Sequence, residues 1–192
     1  EIPKALLRGT AMPDHVISAA GPSLADATYE TRYAATRAVS RAIAAPLAVE
    51  DMVVQAMPDT SPTKWHLAHV TWFFETFVLA RFVPGYRCFD ADYAFLFNSY
   101  YEGAGDRHAR PERGLITRPT VAEVLDYRDY VDAAMAGLMT EVPDNAEVAQ
   151  LVELGINHEQ QHQELMLMDI LNLFSRNPLC PTYVAASAMP QE

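Results

Sequence analysis

The sequence predicts an all-α helix bundle, and three observations carry that expectation. Apolar residues recur at helical spacing over four long segments, helix start and stop signals bracket those segments, and no pair of segments reads as a strand hairpin. A chain of 192 residues that is 50% hydrophobic and 20% charged is long enough for one domain with a sizeable core. The first helix is expected from Ser23 to about Ala45, an Ala-rich stretch with Arg32, Arg37 and Arg41 spaced along it and Ser23 at the N-cap. The second spans Ser61 to Val83, with Ser61 as cap, Pro62 at the first helical position and Pro84-Gly85 as the stop.

Tyr86 to Arg118 separates the second helix from the third. It carries Tyr93, Phe95, Phe97, Tyr100 and Tyr101, then Gly103, Gly105, Arg107, Arg110 and Arg113. So much aromatic surface argues for an ordered, packed loop, and its length argues for a functional one. Thr120 with Glu123 forms a capping box that opens the third helix, which runs to about Glu141 on Val121, Val124, Leu125, Tyr127, Tyr130 and Val131. Pro143 closes it. Asp144 with Glu147 starts the fourth, which continues through Leu151, Leu154, Leu165, Met166 and Leu173 to the Asn177-Pro178 stop. Residues 1–22 then read as an N-terminal extension, 23–178 as the helical domain and 179–192 as a tail or linker. Because the chain opens on Glu1, both ends are expected to belong to something longer.

Charge and composition exclude several classes. Fourteen Lys and Arg against 25 Asp and Glu leave a net charge of −11, which repels phosphate backbones and anionic lipid. Neither nucleic acid nor a membrane is an expected partner. No stretch approaches about 18 consecutive apolar residues, no signal-peptide pattern opens the chain, and a cytoplasmic location is expected. Cys88 and Cys180 stand alone and far apart, so the sequence supports neither a disulfide framework nor a thiolate zinc site.

The chemistry is concentrated in His158-Glu159-Gln160-Gln161-His162 on the fourth helix. Residues four apart share one helix face, so both imidazoles can reach a single metal ion, the geometry that HExxH motifs use. The plain alternative is a polar stripe in water. Leu151, Gly155, His158, His162, Leu165 and Asp169 fall on one stripe, however, which places the histidines on the inward face. A buried imidazole pair without partners would cost several kcal/mol. His66 and His69 stand three apart among the aromatics of the second helix. Three imidazoles from two helices would make a facial set that leaves positions open for substrate and dioxygen. The fourth histidine then lies behind the set or in the core. His15 and His108 are read as loop residues.

Three segments together resemble the N-terminal part of the ergothioneine-biosynthesis sulfoxide synthases, also called hercynine oxygenases. They are Ser61-Pro62-Thr63-Lys64-Trp65-His66-Leu67-Ala68-His69 with Trp72-Phe73-Phe74-Glu75, then Phe97-Asn98-Ser99-Tyr100-Tyr101, then His158 to His162 extended by Gln163-Glu164-Leu165-Met166. The resemblance covers about residues 25 to 180. It implies a DinB-like four-helix bundle, with the long aromatic and Arg-rich loop between its second and third helices, holding mononuclear non-haem iron(II) through His69, His158 and His162. His66 falls on a position that the wider family does not always fill with His. The family joins the thiol of cysteine or γ-glutamylcysteine to the imidazole of hercynine with O2, yielding a sulfoxide.

By the same resemblance, Gln161 contacts the substrate imidazole, directly or through water. Arg110 and Arg113 hold the thiol substrate's carboxylate, with Arg107 and Arg118 as neighbouring alternatives. The physical reading agrees, since three neutral imidazoles leave the 2+ charge uncompensated and ready to attract a thiolate. The family's catalytic tyrosine and trimethylammonium pocket lie on a formylglycine-generating-enzyme-like C-terminal domain, which these 192 residues do not contain. That domain is expected on a longer chain or as a separate one, docked against the aromatic loop Tyr93 to Tyr101 and the tail.

Rival readings share parts of this pattern. A zinc metalloprotease would use Glu159 as the base acting on metal-bound water. An ovothiol-type synthase would couple cysteine to histidine itself, and a DinB-like metal-dependent thiol transferase would need the same bundle and ligands. A helical interaction domain without chemistry leaves the inward histidines unexplained.

Overall fold

The computed structural model describes residues 28–99 and 105–184. The expected cap Ser23, the extension 1–22, Tyr100, Tyr101, Gly103 and the end of the tail lie outside the described residues. Helix α1 is Tyr29–Ala44 and α2 is Thr63–Phe74, which continues through a π-helical stretch, Glu75–Leu79, into Ala80–Phe82. A short α3, Tyr93–Leu96, and a 3-10 turn, Arg110–Leu115, punctuate the long connection to α4, Val121–Glu141. The longest helix, α5, is Ala146–Arg176. The described residues contain no strand, and the fold is all-helical.

Local chemistry explains each start, and corrects three. Thr28 caps α1 by accepting from the Thr31 N–H, later along the chain than the expected start at Ser23. The Thr120–Glu123 capping box forms at α4 in both directions, as its sequence signature predicts. Asn145, rather than Asp144, caps α5: its Oδ1 accepts from the N–H groups of Glu147 and Val148 at 3.0 and 3.2 Å. Both side chains have the chemistry, and the one with extended backbone immediately before the first turn takes the role. Ser61 does not cap α2. Pro62 holds the cap position with ψ 145°, Thr63 opens the helix, and the Lys64 N–H finds the Met52 carbonyl instead.

Helix α2 is buried at every position from Thr63 to Phe74, so it is the central helix of the bundle. It packs on α4 and on α5, and α1 packs on α5. A polar seam closes the ring between α1 and α4, where Asp132 accepts from Tyr33 and from Arg37 Nε. Buried Lys64 donates to the carbonyls of Ile116 and Pro119 at 2.7 and 2.8 Å, tying the end of the long connection to α2.

The aromatic loop is packed, but inward. Tyr93 and Phe97 are core residues beside Tyr127, while Phe95 is half exposed. Those two rings are therefore not available as the docking rim that the sequence suggested. Glu75, buried in the π stretch, gathers Tyr127, Tyr86 and the Phe89 N–H on its carboxylate, which fixes the start of the loop. The inward stripe of α5 is Val148, Val152, Gly155, Ile156, Glu159, His162, Met166, Ile170 and Phe174, so Gly155 and His162 lie inside as expected. Leu154 and Tyr130, expected inside, are 54% and 40% exposed. At Gly155 the helices α5 and α2 approach so closely that a Cβ would lie 2.3 Å from the Phe74 ring.

Candidate metal centre

One nitrogen from each of His69, His158 and His162 lies within 4.8 Å of the other two. The helices explain the convergence. His158 and His162 stand one turn apart on α5, and His69 faces them from α2, flattened between the rings of Trp65 and Trp72 at 4.6 and 5.6 Å. His158 packs against Phe73. The Phe97 carbonyl, brought in by the loop, accepts from His69 Nδ1 at 2.5 Å, which leaves His69 Nε2 with a bare lone pair. That Nε2 stands 3.1 Å from His158 Nε2. Two nitrogens each about 2.1 Å from one ion, at 90–110°, stand about 3.0–3.4 Å apart, so the spacing of this pair suits a shared divalent cation.

Electrostatics favours ligation as well. Burial pushes the His158 imidazole down to about 4. His69 and His162 are also lowered well below the ordinary imidazole value, by burial and then by the neighbouring imidazoles. All three are neutral at physiological pH, and a neutral imidazole is the form that binds metal. His158 Nδ1 is buried without a hydrogen-bond partner among the described residues. His66 is outside the cluster of three: its Nδ1 is 2.8 Å from His162 Nδ1 and its Nε2 is 3.0 Å from Asp169.

The three nitrogens open on a cleft of about 230 Å³ whose walls include Ser61, Trp65, Ser99, Arg110, Arg113, Gln161 and Leu165. Arg113 is buried, lies 3.4 Å over the Trp65 ring and donates to Ser61 Oγ at 2.9 Å and to Ser99 Oγ at 3.3 Å. Arg110 donates to the Asp59 carbonyl at the same wall. Arg107 lines the adjacent hollow and binds the Ser99 carbonyl, whereas Arg118 is exposed and bonded to Thr117. Gln161 is exposed at the mouth, one turn beyond His158. The sequence-expected residues His69, His158, His162, Gln161, Arg110 and Arg113 thus share one cleft.

Glu159 does not. Its carboxylate is buried among Ser40 and Arg37 of α1 and Arg128 of α4, accepting at 2.6, 2.9 and 3.1 Å. Burial alone would raise its pKa, but the Arg37 and Arg128 charges and the hydrogen bonds outweigh it and hold the group at about 2. A carboxylate committed to three donors in the core cannot serve as base at the cleft, so the metalloprotease reading loses its central residue. Sequence reasoning also missed the roles of Phe97, Ser61 and Ser99. A backbone carbonyl leaves no trace in residue identity, and the two serines meet Arg113 only through folding.

The model of the DinB superfamily matches residues 32–166. The chain belongs to the DinB superfamily, and its buried three-histidine cluster fits a metal-dependent member of it. Comparison with curated proteins finds no match. No helix among the described residues is long and apolar enough to cross a membrane.

Proposed function

We propose that this chain supplies the iron(II) site of an O2-dependent sulfoxide synthase that joins hercynine to cysteine or γ-glutamylcysteine. The observation that carries the reading is one cleft with three neutral imidazoles on one wall and Arg113, Arg110 and Gln161 around it. When bound, ferrous iron supplies a centre that takes thiolate and dioxygen. The protein residues do the positioning. Arg113, held by Trp65 and two serines, is a fixed cation suited to the thiol substrate's carboxylate. Gln161 offers an amide at the mouth where the second substrate's imidazole would enter. The catalytic tyrosine and the trimethylammonium pocket are assigned to a formylglycine-generating-enzyme-like domain, on the same or a separate chain.

The test is anaerobic loading with iron(II), followed by oxygen consumption and sulfoxide formation with hercynine and each thiol, with that domain supplied. Turnover that disappears in His158→Ala supports the proposal. Thiol transfer without oxygen uptake would replace it by a metal-dependent transferase, and preference for histidine over hercynine by an ovothiol-type synthase.

A further inference from the structure

We propose that Asp169 and His66 are positioning residues that fix the tautomer of His162 and so assign its Nε2 as the metal-facing nitrogen. The inference rests on the metal reading above and adds a chain of two hydrogen bonds behind the ligands. Asp169 Oδ2 lies 3.0 Å from His66 Nε2 and also accepts from the Ser61 N–H at 2.9 Å. An ionised carboxylate only accepts, so the proton between them sits on His66 Nε2. A neutral imidazole carries one N–H, which makes His66 Nδ1 an acceptor. It faces His162 Nδ1 at 2.8 Å, and the proton of that bond comes from His162. His162 Nε2 is then left with its lone pair. Both nitrogens of His66 are engaged, so His66 orients a ligand and is not one itself.

The arrangement extends a known device, in which a carboxylate or carbonyl orients a metal-binding imidazole, by one further ring. Asp169 stands seven residues beyond His162, two turns along the same face of α5. Because the same oxygen holds Ser61, and Ser61 Oγ holds Arg113, the chain also ties the ligand wall of the cleft to its cationic wall.

The tautomer is readable without metal. Long-range 1H–15N correlation spectra of the metal-free full chain should show His162 protonated on Nδ1 and His66 on Nε2. A proton on His162 Nε2 would overturn the proposal. Cobalt(II) titration gives the second readout. His66→Phe, which removes the acceptor, should weaken binding about 10–100-fold, whereas His66→Gln, whose side-chain oxygen can accept from His162, should retain most of the affinity. Wild-type affinity in His66→Phe would overturn the proposal. Equal loss in both variants, with a changed cobalt absorption spectrum, would make His66 a ligand and also overturn it. If His66→Phe does not fold, the wild-type spectra and His66→Gln still decide. Failure of the wild-type chain to bind any metal would remove the metal reading, while the tautomers are read independently.

Discussion

Two buried polar clusters sit back to back on α5, and adjacent residues belong to different ones. Glu159 faces Arg37, Arg128 and Ser40, and its charge is fully answered by donors from α1 and α4. His158 faces His69 and His162, where nitrogens converge on one another. A closed cluster of that first kind specifies how three helices sit together. A cluster whose lone pairs converge is unfavourable by itself and becomes favourable when a cation arrives between them. About 100° of rotation per residue on a helix is enough to place two such different clusters on neighbouring positions. The difference teaches that the Glu inside this HExxH pattern is structural, while the two His belong to the cluster that could hold a metal ion.

The comparison can be broken most directly at Glu159. Glu159→Gln leaves two buried guanidinium groups undercompensated and should cost about 3–5 kcal/mol in chemical denaturation. The folded fraction should still bind metal, and loss of metal binding by the folded variant would merge the two clusters into one. On the other face, cobalt or zinc at about a hundredfold Kd should stabilise the wild type by about 2.7 kcal/mol. Each of His69→Ala, His158→Ala and His162→Ala should lose that increment and the bound metal, measured by thermal shift and metal analysis.

Gly155→Ala sharpens the same contrast, because it pushes α5 off the Phe74 ring between the clusters. It should cost about 1–3 kcal/mol in denaturation and weaken metal binding by displacing His158. The smallest effect is expected at the exposed Arg41–Asp129 pair on the α1–α4 seam. Asp129→Asn should change stability by about 1 kcal/mol or less, with metal binding unchanged.

Residues within one turn of each other carried most of what was legible in advance. The Thr120–Glu123 box is a local exchange of two hydrogen bonds, so its signature and its structure coincide. The His158 and His162 spacing follows from helical geometry alone. Where two adjacent residues offered the same chemistry, the sequence reading took Asp144, and the structure gives the cap to Asn145. The π stretch at Glu75–Leu79 has no pattern of its own and is accompanied by long-range bonds from Tyr86, Tyr127 and Phe89 to Glu75.

By itself, the sequence determined an all-helical chain, the approximate extents of its helices, the two-histidine face of α5 and a second pair of histidines on the central helix. The family resemblance implied His69 with the α5 pair, and the tertiary structure supplies the physical reason. It set His69 rather than His66 in the cluster, because the Phe97 carbonyl turns one ring and Asp169 engages the other. It also sent Glu159 into the core and Arg113 onto Trp65. The reason is physical: helix periodicity fixes which residues share a face within one element, whereas the direction of an imidazole's lone pair depends on hydrogen bonds from elements far apart in the chain.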